Sequence, residues 1–336
     1  MPVRLESNAL DSMRPGTGGP AGSLSIGLVN NMPDGALQAT ERQFIELLAA
    51  SSSGQQVNLR LFSLADVPRG SRMRAHLARN YTDASHLPRY HLDGLIVTGT
   101  EPRAASLGQE PYWSALSGLV DWAAQNTRSA IWSCLACHAA VLHLDGVARA
   151  PLGAKCSGIF EFAKVGGEPL ARGIPEQIRM PHSRCNGLRE DELIAAGYTI
   201  LTRSPTVGVD SFIKRLPKSL FVFFQGHPEY DAASLLREYQ RDVGRFLKGE
   251  RASYPAPPEG YFDPQASAQL ESFAERARGE RRLELIEGFP SQLVATRLTQ
   301  SWRAPAVQIY RNWLDYLRCS KATAQDESFG SSCAAE

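Results

Sequence analysis

Short apolar segments alternate with helix-like patterns over residues 24–145, and this alternation strongly limits the folds open to the chain. Apolar runs at residues 24–29, 94–97 and 129–133 each end in a polar or glycine-containing turn, and amphipathic spacing follows. Strands that alternate with helices in this way form βα units, which assemble into a largely parallel sheet flanked by helices. A further buried-strand pattern at residues 219–225, with an amphipathic stretch after it, extends the prediction of an α/β fold.

Composition divides the chain into four parts. Residues 1–23 are rich in Gly, Pro and Ser and predict a flexible leader. Residues 24–250 hold the strand and helix patterns and are the expected domain of any active site. Residues 251–319 predict a C-terminal extension that starts with a Pro-rich linker at 251–260 and has an aromatic helix that packs on the core. Residues 320–336 predict a disordered tail.

Charge, apolar runs and cysteine usage exclude several classes of protein. The 336 residues contain 36 Lys and Arg against 35 Asp and Glu, so bulk charge gives no reason to expect binding to nucleic acid or to an anionic membrane. No apolar run is long enough to span a bilayer, and the first residues lack the apolar core of a signal peptide. Six unevenly spaced cysteines do not make a disulfide scaffold, and no metal site stands out. We therefore expect a cytoplasmic enzyme with reduced thiols and no bound metal.

Cys134 stands directly between an apolar strand and a helix of small and apolar residues. A cysteine at such a turn projects above the sheet beside a helix N-terminus, where the helix dipole and free N–H groups favour the thiolate and can hold an oxyanion. A buried core thiol is the structural alternative. Cys134 and Cys137 also form a Cys-x-x-Cys pair, which leaves a redox pair open, whereas zinc would need a second such pair or a His-rich partner.

His227 and Glu229 follow the strand at residues 219–225, in the run Gly-His-Pro-Glu. Residues that face a ligand in α/β sheets lie at the carboxyl ends of strands, and His is well suited to move protons near neutral pH. Glu229 could orient the imidazole and stabilise its charged form, while a structural turn is the alternative. Because the two strand ends complete each other, we predict a nucleophile–base–orienter triad of Cys134, His227 and Glu229.

A series of further motifs runs through residues 24–247 in a fixed order. They are Asn31-Met32-Pro33, Thr40-Glu41, the Gly-Leu-Ile-Val-Thr-Gly run at 94–99, Tyr112-Trp113, Cys134 with Ala139-Ala140, Lys155-Cys156-Ser157-Gly158, Pro181-His182-Ser183-Arg184, the run Gly-His-Pro-Glu-Tyr-Asp at 226–231, and Glu238-Tyr239-Gln240-Arg241-Asp242. A weaker echo follows at Trp302-Arg303 and Asn312-Trp313-Leu314. Each motif alone is weak, but together and in this order they resemble the homoserine O-succinyltransferase family.

The resemblance implies a flavodoxin-like α/β core of the class I glutamine amidotransferase-like type. It also implies a ping-pong O-acyltransferase that makes O-acylhomoserine for methionine biosynthesis. Within the family pattern, Cys134 matches the residue that carries the acyl group as a thioester, His227 the general base, and Glu229 its partner. The co-substrate would be succinyl-CoA or acetyl-CoA, with no bound cofactor, and the family suggests a homodimer.

Three further residues match family positions that contact substrate, namely Lys155, Ser183 and Arg241. The planar guanidinium of Arg241 suits an amino-acid carboxylate, because it can donate to both oxygens at once. Without the resemblance, the same arginine reads as a surface residue paired with Glu238 or Asp242.

The chain departs from the family after Gly99, where the family usually has Ala-Pro and then a Gly or Glu that tunes the acyl group. Here the sequence reads Thr100-Glu101-Pro102-Arg103, and counting back from Tyr112 places Arg103 at the tuning position. A Glu there would repel a succinyl carboxylate, whereas Arg103 could attract one. We therefore favour succinyl over acetyl and predict Arg103 as an acyl-specificity residue. A solvent-facing Arg103 and one that binds CoA phosphate are the alternatives.

Other departures leave the acceptor and the reaction class open. The loop after Pro33 is longer than usual and lacks the family's basic residues, Cys137 and Cys185 are atypical, and the charged segment 265–295 is extra. Serine or another hydroxy amino acid is therefore an alternative acceptor. A Cys-His-Glu amidotransferase or hydrolase of the same fold is an alternative enzyme, and a non-catalytic amino-acid sensor is a third possibility.

Overall fold

The predicted strands lie side by side in one sheet in the computed structural model, which describes residues 2–6 and 22–333. The strands are β1 (Val3–Leu5), β2 (Leu24–Val29), β3 (Val57–Ser63), β4 (Thr82–Asp83), β5 (Gly94–Val97), β6 (Ser129–Ser133), β7 (Ala150–Lys164), β8 (Gln177–Gly187), β9 (Thr199–Ser204), β10 (Gly208–Arg215) and β11 (Leu220–Phe224). The helices are α1 (Leu37–Ser51), α2 (Ser71–Asn80), α3 (Trp113–Asn126), α4 (Leu135–Asp145), α5 (Glu190–Ala195), α6 (Ser234–Leu247), α7 (Pro264–Glu280), α8 (Ser291–Ala295) and α9 (Arg303–Cys333).

The sheet has a parallel part and an antiparallel part. Strands β1, β3, β2, β5, β6 and β11 follow one another in this order and pair in parallel, and β4 pairs in parallel with β3. Strands β10, β9, β7 and β8 continue the sheet with antiparallel pairing. Parallel neighbours need crossover connections, and α1, α3 and α4 are parts of these connections. Antiparallel neighbours can be joined by short turns. The predicted α/β fold with a mostly parallel sheet is confirmed.

Each face of the sheet is covered by an apolar layer, because successive side chains of a strand point to opposite faces. On β6, Ile131 packs in the layer that contains residues of α1, α6 and α9. Its neighbours Ala130 and Trp132 pack in the layer that contains residues of α3 and α4. The strand is therefore buried on both faces, and only its carboxyl end, where Cys134 follows, can open towards a ligand.

Part of the segment predicted as a leader forms a strand. Residues Val3–Leu5 form β1, which pairs in parallel with β3, and Val3 is buried. The strand forms because Val3 and its pairing partners bring apolar side chains together at the sheet edge. In the sequence, the Gly and Pro content of the residues that follow conceals this short strand. Residues 7–21 of the predicted leader lie outside the described part of the chain.

Residues 320–333 of the predicted tail continue α9, and residues 334–336 lie outside the described part of the chain. The side-chain ammonium of Lys321 donates to Asp93 Oδ2 at 2.8 Å and to the carbonyl of Ser23 at 3.0 Å. Arg128 donates to the carbonyl of Ser320 at 2.6 Å. These partners lie about 190 residues or more away in sequence, so local composition cannot reveal them.

Aromatic residues at the start of and within α9 fix the C-terminal extension to the sheet. Trp302, Tyr310 and Trp313 are fully buried, and the indole N–H of Trp313 donates to Ser129 Oγ at 2.9 Å. Helix α9 packs mainly on α1. Among the described helices, none combines the length and the apolar character needed to cross a membrane.

Candidate active site

Cys134 occupies a sharp turn between β6 and α4. Its backbone has φ 54° and ψ −115°, a region that non-glycine residues rarely adopt. Its N–H donates to the carbonyl of Phe224, the last residue of β11, at 2.8 Å. Backbone strain of this kind persists only where the surroundings hold it, and it is concentrated at functional sites. The turn places Cys134 at the N-terminus of α4, as the sequence predicts.

The loop after β5 lies directly against the first turn of α4. A Cβ atom on Gly99 would be 2.8 Å from both the backbone nitrogen and the Cβ of Leu135, so only glycine fits there. No side chain caps the N-terminus of α4. The Leu135 N–H therefore lies next to Cys134 in a narrow backbone junction, which is a suitable place for an oxyanion.

His227 is held in one orientation from three sides. Its Nδ1 lies 2.8 Å from Oε1 of Glu229, its backbone N–H donates to the carbonyl of Pro181 at 2.9 Å, and its ring stacks on Tyr230 with a centroid distance of 4.1 Å. Both His227 and Glu229 are 4% exposed. Since the carboxylate engages Nδ1, the other ring nitrogen remains for Cys134.

Electrostatics favour a charged imidazole at His227. Burial alone would lower the pKa of His227, but the negative charges of Cys134 and Glu229 and hydrogen bonds to both hold that pKa well above its usual value. This shift favours a protonated imidazole at His227. The three residues of the predicted triad are in mutual reach.

Six of the seven predicted site residues line one open cavity of about 620 Å³. They are Cys134, Lys155, Ser183, His227, Glu229 and Arg241. Lys155 donates to Asp242 Oδ2 at 2.8 Å and lies 3.8 Å from Glu238 Oε2. Ser183 Oγ donates to the same Glu238 carboxylate, which also accepts from Tyr230.

Arg103 is the predicted residue that does not join this set. It lies outside the lining of the cavity around Cys134 and lines an adjoining cavity instead. The N–H groups of Arg103 and Ala104 donate to Glu110 Oε1 at 2.7 and 2.8 Å, and these bonds set the path of the loop. Arg103 thus lies in the cavity next to the one around Cys134, and its role as an acyl-specificity residue stays a prediction.

Sequence reasoning missed several charged residues of the cavity. Arg149, Arg184, Arg245 and Arg251 also line it. Arg251 falls in the Pro-rich stretch that predicts a linker. Glu259 of the same stretch nevertheless forms a β-bridge with Gly158, whose φ is 153°. A Cβ on Gly158 would clash with the backbone of Glu259, so Gly158 was the one local signal of this close approach.

A buried polar pair lies directly behind His227. His182 Nε2 is 3.1 Å from Asp210 Oδ1, and both side chains are fully buried. Arg184 donates to His182 Nδ1 at 3.1 Å, which connects this pair to the cavity. A Cβ on Gly226 would lie 2.6 Å from Asp210 and 2.7 Å from His182, so the turn that carries His227 packs tightly on the pair.

Comparison with known proteins shows the family of the chain. A family model described as HTS, homoserine O-succinyltransferase, matches residues 18–324. The homoserine O-succinyltransferase of Rhodopseudomonas palustris is 49% identical over 291 residues, which is 87% of each chain. That of Bradyrhizobium japonicum is 48% identical over 295 residues, covering 88% of this chain and 90% of the relative.

The fold is shared with a solved structure of low sequence identity. The structure described as glutamine amido transferase from Methylobacillus flagellatus has a TM-score of 0.50 and 14% identity, and covers 88% of this chain and 96% of its own. This likeness confirms the predicted class I glutamine amidotransferase-like fold. The family match and the two relatives confirm the resemblance seen in the motifs, and the chain belongs to the homoserine O-succinyltransferase family of acyltransferases.

Proposed function

We propose that this chain transfers a succinyl group from succinyl-CoA to the hydroxyl of L-homoserine through a thioester on Cys134, a step of methionine biosynthesis. The relatives are named homoserine O-succinyltransferase, which supports both the acyl group and the acceptor. The observation that carries the chemistry is the placement of Cys134 on the α4 N-terminus beside the buried His227–Glu229 pair.

In the first half-reaction, the Cys134 thiolate attacks the thioester carbonyl of succinyl-CoA. A new carbon–sulfur bond forms, the oxyanion is stabilised by the Leu135 N–H, and the bond to the CoA sulfur then breaks. The leaving CoA thiolate takes the proton of the His227 imidazolium. Exchange of one thioester for another costs little free energy, which suits a reversible acyl-enzyme.

In the second half-reaction, neutral His227 accepts the proton of the homoserine hydroxyl while its oxygen attacks the acyl-enzyme. A carbon–oxygen bond forms, the bond to Cys134 breaks, and the thiolate is restored beside the imidazolium. Because a single nucleophile serves both substrates in turn, the kinetics are ping-pong.

The acceptor would be held by α6. Glu238 and Arg241 stand three residues apart on this helix and both line the cavity, so they face the same side. Arg241 has only a 3.4 Å contact to Asp242 and can turn its guanidinium to a carboxylate, while Glu238 can accept from an ammonium group. Lys155 and Ser183 contact Glu238 and are proposed to complete the substrate site.

The test is the intact mass of the protein after brief exposure to succinyl-CoA or to acetyl-CoA without an acceptor. We expect a succinyl adduct that maps to Cys134 and that is discharged by homoserine as O-succinylhomoserine. The Cys134→Ser protein should form no adduct, whereas Cys185→Ser, which changes another cysteine of the same cavity, should still form it. An alkylatable Cys134 that is acylated by neither donor would sink the proposal.

A further inference from the structure

A second cavity of about 610 Å³ adjoins the one around Cys134. The two share Met32, Glu101 and the α6 residues Glu238, Arg241 and Arg245, so they form one continuous cleft. A ligand whose reacting end lies at Cys134 can therefore extend into the second cavity.

The second cavity is rich in positive charge. Five arginines line it, against three carboxylates. The arginines are Arg69, Arg103, Arg237, Arg241 and Arg245, and the carboxylates are Asp34, Glu101 and Glu238. Arg237 is paired with Asp231 at 2.9 Å and Arg245 with Glu101 at 2.8 Å. With Arg241 assigned to the acceptor carboxylate, Arg69 and Arg103 are the best candidates for an incoming anion.

Arg69 is a buried cation with unused hydrogen-bond donors. Its side chain is only 5% exposed, and its Nε and Nη2 atoms have no hydrogen-bond partner. The Nη1 atom of Arg69 donates to the carbonyl of Met32 and lies 3.5 Å from Asp34 Oδ1. The second carboxylate oxygen, Asp34 Oδ2, accepts from the Gly70 N–H. An unpaired buried donor is costly, and rotation of the Arg69 side chain towards the cavity would let an anion satisfy it.

Two further features favour an anion at the same place. The side chain of Arg103 lies exposed on the cavity wall and has no ion-pair partner within the described part of the chain. The N-terminus of the 15-residue helix α1 also borders the cavity through Gly35 and Ala36, and its first turn contains no acidic residue. The positive end of the helix dipole adds to the attraction of the two arginines.

We propose that this second cavity binds the phosphate groups of the acyl-CoA donor, with Arg69 and Arg103 as their principal ligands. The proposal rests on the proposed function, which brings an acyl-CoA thioester to Cys134. The guanidinium fork can donate two parallel hydrogen bonds to one phosphate. Arg103 then contacts the nucleotide end of the donor, away from the acyl end.

The test compares succinyl-CoA with succinyl-pantetheine, which has the same thioester but no phosphate. The second-order rate of Cys134 acylation should be higher with succinyl-CoA in the wild-type protein. Arg103→Ala should reduce the ratio of the two rates about tenfold, the usual scale for a charge-assisted hydrogen bond. Arg69→Gln should reduce the ratio at least as much. The matched control is Arg79→Ala, an exposed arginine that lines neither cavity and should leave the ratio as in the wild type.

Direct binding separates this proposal from the proposed function. Adenosine 3′,5′-bisphosphate should bind the wild-type protein in calorimetry and should bind the Arg103→Ala and Arg69→Gln proteins about tenfold more weakly. Equal acylation by both donors, or an equal loss with both donors in the variants, overturns the phosphate site and leaves the acyltransferase intact. If neither donor acylates Cys134, the proposed function fails. In that case, arginine-dependent binding of the bisphosphate supports the anion site, and no binding overturns it.

Discussion

The backbone of Cys134 is held in a strained conformation, and this conformation gives the residue its position in the site. A residue with φ near 54° and ψ near −115° costs about 1–3 kcal/mol relative to an ordinary conformation. The hydrogen bond from its N–H to Phe224 and the start of α4 hold it there. The result is a sulfur at a helix N-terminus, facing the cleft and the charged ring of His227.

Glu229 should control how much of Cys134 is thiolate at neutral pH. Changing Glu229→Gln removes a negative charge from His227, lowers the pKa of the imidazole and shifts the ion pair towards neutral thiol and neutral imidazole. The rate of Cys134 alkylation by iodoacetamide at pH 7 should fall by about tenfold, which corresponds to one pKa unit. At high pH the rate should recover, because the thiol then ionises without help.

The matched control is Glu250→Gln, which removes an exposed carboxylate from the same cavity. Its alkylation profile should follow the wild type. If Glu229→Gln had the wild-type profile too, Glu229 would have no influence on the ion pair.

Between elements, the contact of the β5 loop with α4 shapes the oxyanion site. In Gly99→Ala the new methyl group would lie 2.8 Å from the backbone nitrogen of Leu135, so the loop must move away from the helix. Acylation of Cys134 by succinyl-CoA should slow by about a hundredfold, the usual scale for a lost oxyanion donor. Alkylation by iodoacetamide, which forms no oxyanion, should change far less.

Gly118→Ala is the control for this change. Gly118 lies on the exposed side of α3 with open space around it, so alanine there should raise helix stability by about 0.5–1 kcal/mol without affecting acylation. Equal effects on acylation and alkylation in Gly99→Ala would indicate a general distortion of Cys134 instead.

The junction of α4 and β11 makes stability depend on pH. His138 of α4 is buried and its Nε2 lies 2.9 Å from Gln225 Oε1, next to the end of β11. Burial lowers the pKa of His138 to about 4, although the hydrogen bond to Gln225 opposes this. The unfolded chain, with a histidine pKa of about 6.5, binds the extra proton between these values. The stabilisation is therefore complete above pH 6.5 and is lost as the pH falls towards 4.

This loss should amount to about 3 kcal/mol in the free energy of unfolding, from the difference in pKa. Urea unfolding of the wild type and of His138→Gln at several pH values measures it, and the variant should lose correspondingly less stability over the same window. The exposed His91→Gln protein should follow the wild-type curve. If the free energy of unfolding of His138→Gln fell as steeply with pH as that of the wild type, His138 would not be the source of the pH dependence.

Local pattern was enough to predict the strands that end at the site, because a strand, its turn and the next helix lie within a few residues of one another. The positions of Cys134 and His227 followed from that pattern. The position of Arg103 did not follow from it, because the hydrogen bonds from its loop to Glu110 decide where its side chain lies. Arg251 also escaped prediction, because its Pro-rich segment is fixed by the bridge between Glu259 and Gly158, about a hundred residues apart.

Across the whole molecule, α9 ties the C-terminal extension to the centre of the sheet. Trp313→Ala should lower the free energy of unfolding by about 3–5 kcal/mol, since it removes a fully buried ring and leaves Ser129 without its donor. Tyr316→Ala on the same helix removes a ring that is 37% exposed and should cost about 1 kcal/mol or less. Urea unfolding compares the two, and equal costs would show that α9 is not a core element.

The ammonium of Lys321 reaches the buried carboxylate of Asp93 and the carbonyl of Ser23, near the start of the first long strand. On the ribosome, Asp93 is synthesised long before this partner. The nascent sheet must therefore hold an incompletely neutralised carboxylate, and an apolar face that α9 will cover, until α9 has left the exit tunnel. A ribosome that stalls before residue 321 therefore displays an unfinished fold.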